Sequence, residues 1–130
     1  VGTPYYLSPE LCEDKPYDDR SDVWALGVIL YECCMLAHPF QAKNQCALIL
    51  RIIRGKFEAV TKGQVCETLR SLVRQLLTRD SSKRPSVKTI LGQHCVQEAM
   101  TRAGLELPGD IKICPAQLEV HVQRCASGSK

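Results

Sequence analysis

One segment constrains this chain more than any other. From Ser21 to Leu36 it is apolar on nearly every side: Val23, Trp24, Ala25, Leu26, Val28, Ile29, Leu30, Tyr31, Cys33, Cys34 and Met35. A helix at a protein surface carries one apolar stripe and a wet opposite face. A helix apolar all round must be surrounded, by lipid or by protein. Glu32 interrupts the run, which falls short of the roughly 20 residues a membrane span needs. The segment is therefore expected to be the buried central helix of a globular unit. The rest of the chain has to supply helices to cover it, and a chain missing part of its domain would leave an apolar face bare.

The flanking sequence supplies several. Ser8 can cap a short turn over Pro9–Glu13, with Pro9 at the first helical position, where its missing N–H costs nothing. The capping oxygens of Asp18, Asp19 and Ser21 precede the apolar run. Asn44 can cap a helix through Ala47, Leu48, Leu50, Ile52 and Ile53, stopped at Gly55. Leu69, Leu72, Val73, Leu76 and Leu77 recur at helical spacing, which puts Arg70 and Arg74 on the wet side. Ser86 can open a short helix through Val87, Ile90 and Leu91, closed by Gly92. Val96, Ala99, Met100 and Ala103 suggest one more amphipathic helix, to Gly104. No strand pattern occurs before residue 105, so the fold is expected to be mainly α. Beyond Pro108-Gly109, Leu118, Val120 and Val122 alternate like a strand, while Pro115-Ala116-Gln117 reads equally as a helix start.

Composition narrows the functional classes. The formal charge is +3 with no run of Lys and Arg, so neither nucleic acid nor a membrane surface is an expected partner. The chain opens on Val1 with no leader visible, and is read as a piece of a larger protein. Its eight cysteines contain no C-x-x-C pair, and His38, His94 and His121 do not group with them at zinc spacing, so no metal site is expected. Neighbours Cys33 and Cys34 diverge by about 100° on a helix and cannot share one ion. Reduced thiols are expected, the alternative being a redox-sensitive thiol near the tail, and a cytoplasmic or nuclear location is expected with them. No motif bears on oligomeric state.

Three motifs, in order, carry a family resemblance. Gly2-Thr3-Pro4-Tyr5-Tyr6-Leu7-Ser8-Pro9-Glu10 resembles the end of a protein kinase activation segment, which closes on an A-P-E type motif. Asp22-Val23-Trp24-Ala25-Leu26-Gly27 resembles the D-x-W-x-x-G start of the central helix of the kinase C-terminal lobe. Lys83-Arg84-Pro85-Ser86 resembles the R-P-S/T element near the last helix. The resemblance covers about residues 1–95 and implies the helical C-terminal lobe of the protein kinase fold, truncated upstream of the end of the activation segment, with 96–130 as an extension of uncertain structure. Cys12-Glu13-Asp14-Lys15-Pro16-Tyr17 and Ala37-His38-Pro39-Phe40 add a similarity to the NIMA-related (Nek) serine/threonine kinases. Ser8 stands where many kinases have Ala, and Ser81 where Pro is common.

The resemblance assigns roles. Thr3 would support the catalytic groups and mark serine/threonine specificity; by itself it could equally steady a turn. Gly2, Thr3, Pro4, Tyr5, Tyr6 and Leu7 would form the wall that holds a peptide substrate just past its target hydroxyl. Glu10 and Arg84 would pair and tie that loop to the base of the lobe, unless both are simply exposed charges. Asp22 would cap the central helix, anchor the catalytic loop, or both. Trp24 is a packing residue on either view. The hydroxyls of Tyr5, Tyr6 and Ser8 are candidates for phosphorylation.

The resemblance also implies transfer of the ATP γ-phosphoryl to Ser/Thr of protein substrates, with ATP and Mg bound by the full-length parent. That chemistry needs a Gly-rich loop, a strand Lys, an H-R-D loop and a D-F-G Asp. None occurs in these 130 residues. The fragment is thus expected to bind no cofactor and to be inactive and poorly soluble or molten by itself. The alternative is a non-catalytic, pseudokinase-like or truncated binding module.

Overall fold

The computed structural model describes residues 4–61, 63 and 65–109. They form six helices and, among the described residues, no strand: α1 Pro9–Cys12, α2 Asp19–Met35, α3 Gln45–Arg54, α4 Glu67–Leu76, α5 Val87–Leu91 and α6 His94–Arg102. Two compact units result, residues 1–85 and 86–130. The alternating pattern and the helix start after Pro108, together with Gly2, Thr3, Cys114 and Cys125, lie outside the described residues.

Local chemistry sets the helix ends. Asp18 caps α2, its carboxylate accepting the N–H of Arg20 and Ser21, so the cap falls on Asp18 and Asp22 sits within the first turn. The Asn44 side chain accepts the Ala47 N–H at 2.8 Å, and α3 stops at Gly55 in the left-handed conformation, φ 65°. A Cβ at Gly55 would also stand 2.9 Å from the Arg79 Cβ, so two constraints require glycine there. Ser8 precedes α1 in extended conformation, but its hydroxyl makes no capping bond and is fully buried. α4 begins after Cys66 without a side-chain cap.

In the first unit α2 is the beam. Val23, Trp24, Gly27, Val28, Tyr31 and Met35 are buried, and the core adds Phe40, Leu48, Ile52, Val60, Val73 and Leu77. α2 packs on α4 and α1 on α3. The α2–α4 crossing is close at Gly27, where a Cβ would meet the Leu76 Cβ at 2.7 Å. An aromatic array continues from the beam: Trp24 stacks on Phe40 at 5.6 Å between centroids, and Phe57 meets Phe40 and Tyr31 edge-on at 6.1 and 5.8 Å.

The beam is not covered all round. Asp22, Leu26, Ile29 and Cys33 share one exposed face, with Leu26 and Ile29 each 48% exposed. About half the surface of Leu26 and of Ile29 stays open, so the full enclosure expected of an all-round apolar helix is not met by the described residues. Cys33 lies on this face while Cys34 is half-buried against the core, the divergence their adjacency dictates. Arg74 is exposed as expected, but Arg70 is half-buried.

In the second unit the Ser86 hydroxyl accepts the Thr89 N–H at 3.2 Å and opens α5. No residue of α6 is fully buried, and Ala99 and Ala103, expected on its apolar face, are exposed. Among the described residues no helix is long and apolar enough to cross a membrane.

Candidate functional site

Residues 4–7 run into α1 through a turn in which the Leu7 N–H reaches the Pro4 carbonyl at 3.4 Å. Pro4 is buried, whereas Tyr5, Tyr6 and Leu7 present 37, 47 and 38% of their surface. An exposed run of two tyrosines and a leucine, held by a buried proline, is suited to contacting an extended peptide. Beside it opens a cavity of about 360 Å3 lined by Tyr5, Tyr6, Glu32, His38, Gln41 and Ala42. The Tyr6 hydroxyl donates to the Glu32 carboxylate at 3.2 Å, and this bond raises the Tyr6 phenol above its ordinary pKa.

What anchors the loop is a buried ion pair. Arg84 is 0% exposed and Glu10 7%. The guanidinium grips the carboxylate with both arms, Nη1 to Oε1 at 2.7 Å and Nη2 to Oε2 at 3.0 Å. Its other three N–H groups go to the carbonyls of Arg20 (2.6 Å), Arg79 (3.2 Å) and Thr78 (2.9 Å). Every donor of the fork is used. The Ser21 hydroxyl donates to Glu10 at 2.9 Å, and the guanidinium lies 5.1 Å from the centre of the Trp24 ring. The expected pairing is therefore present, and the alternative of two exposed charges is not.

Burial pushes the Glu10 carboxyl up, but the bonds from Arg84, its own backbone and Ser21 outweigh it and hold the carboxyl at about 2, against an ordinary 4.5. A carboxylate depressed on folding contributes stability above its unfolded value, and that contribution is lost as pH falls toward the folded value. The stability difference between the native protein and Glu10→Gln is thus expected to be constant from pH 7 to 5. It should shrink between about pH 4.5 and 2. Urea unfolding at each pH measures it, and a difference unchanged at pH 3 would contradict the assignment.

Arg79 extends the anchoring: it donates to the Ile53 carbonyl at the end of α3 and to Glu13 after α1 at 2.9 Å. Trp24 is a core residue, as expected. Asp22 is exposed and accepts the Tyr17 hydroxyl. It is neither the helix cap nor, among the described residues, bound to a backbone N–H. Ser8, a candidate for phosphorylation, has its hydroxyl inside the protein.

The sequence singled out neither Glu32 nor His38 as a site residue. Each stands more than 25 residues from the loop it contacts, Glu32 at separation 26 and His38 at separation 33, and no local pattern marks such a meeting. Among the described residues no three His, Cys, Asp or Glu side chains converge to hold a metal ion. No Gly-rich loop, H-R-D or D-F-G motif occurs in the 130 residues.

The family described as "Protein kinase domain" matches residues 1–96. Mouse serine/threonine-protein kinase Nek1 is 54% identical over 91 residues, which is 70% of this chain and 8% of that protein. Human Nek5 is 46% identical over 91 residues, again 70% of the chain and 13% of the relative. Mouse Nek3 is 50% identical over 91 residues, 70% of the chain and 18% of the relative. The chain spans less than one fifth of the length of each of these relatives.

Proposed function

Because this chain belongs to the protein kinase family, with the Nek serine/threonine kinases among its relatives, we propose that it forms the peptide-binding part of a serine/threonine kinase. In this reading the whole protein transfers the γ-phosphoryl of ATP, with Mg, to Ser or Thr of protein substrates. Tyr5, Tyr6 and Leu7 meet the substrate chain beside its target hydroxyl, with Gly2, Thr3 and Pro4 completing the wall, and Thr3 stands nearest to the chemistry. Residues 96–130 are an extension outside the kinase domain. The observation that carries the reading is the buried Glu10–Arg84 lock, which fastens the exposed 4–7 loop to the beam α2 and the 78–84 segment. A loop that must orient a substrate needs such a rigid base, because small misplacements at a reacting centre cost rate steeply. The bare Leu26–Ile29 face of α2 is in keeping with a domain larger than these residues.

In this reading the described residues contribute binding and orientation, and the groups that hold the nucleotide and accept the substrate proton belong to other parts of the whole protein. The test is phosphoryl transfer from ATP to dephosphorylated casein by the full-length chain and by residues 1–130 alone. The full-length chain is expected to label Ser and Thr but not Tyr, and 1–130 to label nothing. A full-length chain that binds casein without labelling it would point instead to a non-catalytic binding module.

A further inference from the structure

The exposed 4–7 loop has a second attachment, formed by one imidazole. His38 lies in the connection between α2 and α3, and its side chain is 11% exposed. Its Nδ1 sits 3.0 Å from the Phe40 backbone N and 2.8 Å from the Phe40 carbonyl oxygen, while Nε2 sits 2.9 Å from the Tyr5 carbonyl oxygen. A carbonyl oxygen only accepts, so the contact with Tyr5 is a hydrogen bond in the tautomer that carries the ring proton on Nε2, and in that tautomer Nδ1 accepts the Phe40 N–H. The Tyr5 ring covers the imidazole, centroids 4.7 Å apart and tilted 57°. Phe40 in turn is 1% exposed and stacked on Trp24. A continuous path therefore runs from the beam through the Phe40 backbone and the imidazole to the Tyr5 carbonyl.

The other end of that path is weakly held. Tyr5 and Tyr6 are exposed, and the turn bond from Leu7 to Pro4 is long, at 3.4 Å. Among the described residues, His38 supplies the only hydrogen bond to the Tyr5 carbonyl. Because the Tyr5–Tyr6 peptide is trans, fixing that oxygen fixes the plane of the peptide and turns the Tyr6 N–H to the opposite side. The Tyr6 side chain is meanwhile held by Glu32 at 3.2 Å. We propose that His38 is a positioning residue for substrate recognition: its Nε2–H holds the Tyr5–Tyr6 peptide in the orientation that meets the incoming peptide chain. This rests on the reading of residues 4–7 as a substrate-binding loop.

The two ring nitrogens can be tested separately. A glutamine amide reaches the position of Nε2 and can still donate to Tyr5, whereas an asparagine amide reaches only the position of Nδ1. His38→Ala, His38→Asn and His38→Gln would be made in the full-length chain and assayed on dephosphorylated casein. The expected result is a KM for casein raised about tenfold by Ala and by Asn, the factor corresponding to one lost hydrogen bond, with kcat affected less. Gln should restore KM to within about threefold of the native value. A merely structural role would not rank Gln above Asn.

Amide hydrogen exchange of residues 4–7 in the same proteins needs no activity: Tyr6 and Leu7 should exchange faster in Ala and Asn than in Gln or the native chain. Should His38→Ala not fold, the Asn–Gln pair decides alone. Gln behaving as Asn does, in KM or in exchange, would overturn the proposal. A native chain without transferase activity would sink the kinase reading, and the exchange measurement would still decide whether His38 holds the loop.

Discussion

Replacing Arg84 with alanine in the full-length chain is expected to destabilise the kinase domain by about 3–5 kcal/mol, the usual result of leaving one member of a buried ion pair without the other. The expectation rests on geometry. Arg84 has no exposed surface, its five N–H groups reach two carboxylate oxygens and three backbone carbonyls, and Glu10 would keep the Ser21 hydroxyl but lose both arms of the guanidinium. Arg74→Ala provides the control on the same scale. Arg74 is also paired, to Glu67 at 2.7 Å, but both side chains are more than half exposed, and such pairs contribute about 0–1 kcal/mol. Arg84→Lys separates charge from shape, since an ammonium keeps the charge and loses the planar fork; it should recover less than half of the loss. Urea midpoints for Arg84→Ala and Arg74→Ala that coincide would sink the assignment.

Phe40→Ala is expected to cost about 3–5 kcal/mol, the range for deleting a fully buried aromatic ring. Phe40 is 1% exposed, stacks on Trp24 at 5.6 Å and receives the edge of Phe57 at 6.1 Å. Removal opens a cavity against Trp24 and Phe57, which the surroundings refill only in part. Phe40→Leu fills most of the volume and should cost less than half as much. The position matters beyond stability, because the Phe40 backbone holds His38 and through it Tyr5. Casein KM should therefore rise in Phe40→Ala even at temperatures where the domain remains folded. A casein KM equal to that of the native chain would break the link drawn between core and loop.

The order of elements was legible from residues alone because its determinants are local. Asn44 and Gly55 bracket α3, Ser86 opens α5, and the spacing of Leu72, Val73 and Leu76 marks α4. Each signal acts within one or two helical turns, so the chain carries it before any tertiary contact forms. Motif order reached further: Glu10 and Arg84 were paired across 74 positions only through the family resemblance, since nothing in periodicity links them.

Other features needed the fold. Asp18, Asp19, Ser21 and Asp22 all offer oxygens before α2, and the backbone path of entry decided that Asp18 takes the cap. The apolar run of α2 specified burial on every side, yet burial depends on which neighbours are at hand, and the described residues leave Leu26 and Ile29 bare. Glu32 and His38 carry no mark of a site in their own surroundings. Their meeting with Tyr6 and Tyr5 follows from α2 bringing its C-terminal end beneath the 4–7 loop. The ends of α3, the start of α5 and the spacing of α4 were thus set by the sequence itself, through interactions of a few residues' reach, and the family by the order of its motifs. The covered and bare faces of the beam, and the side chains that hold the loop, were decided by long-range packing, where position in space has no counterpart in spacing along the chain.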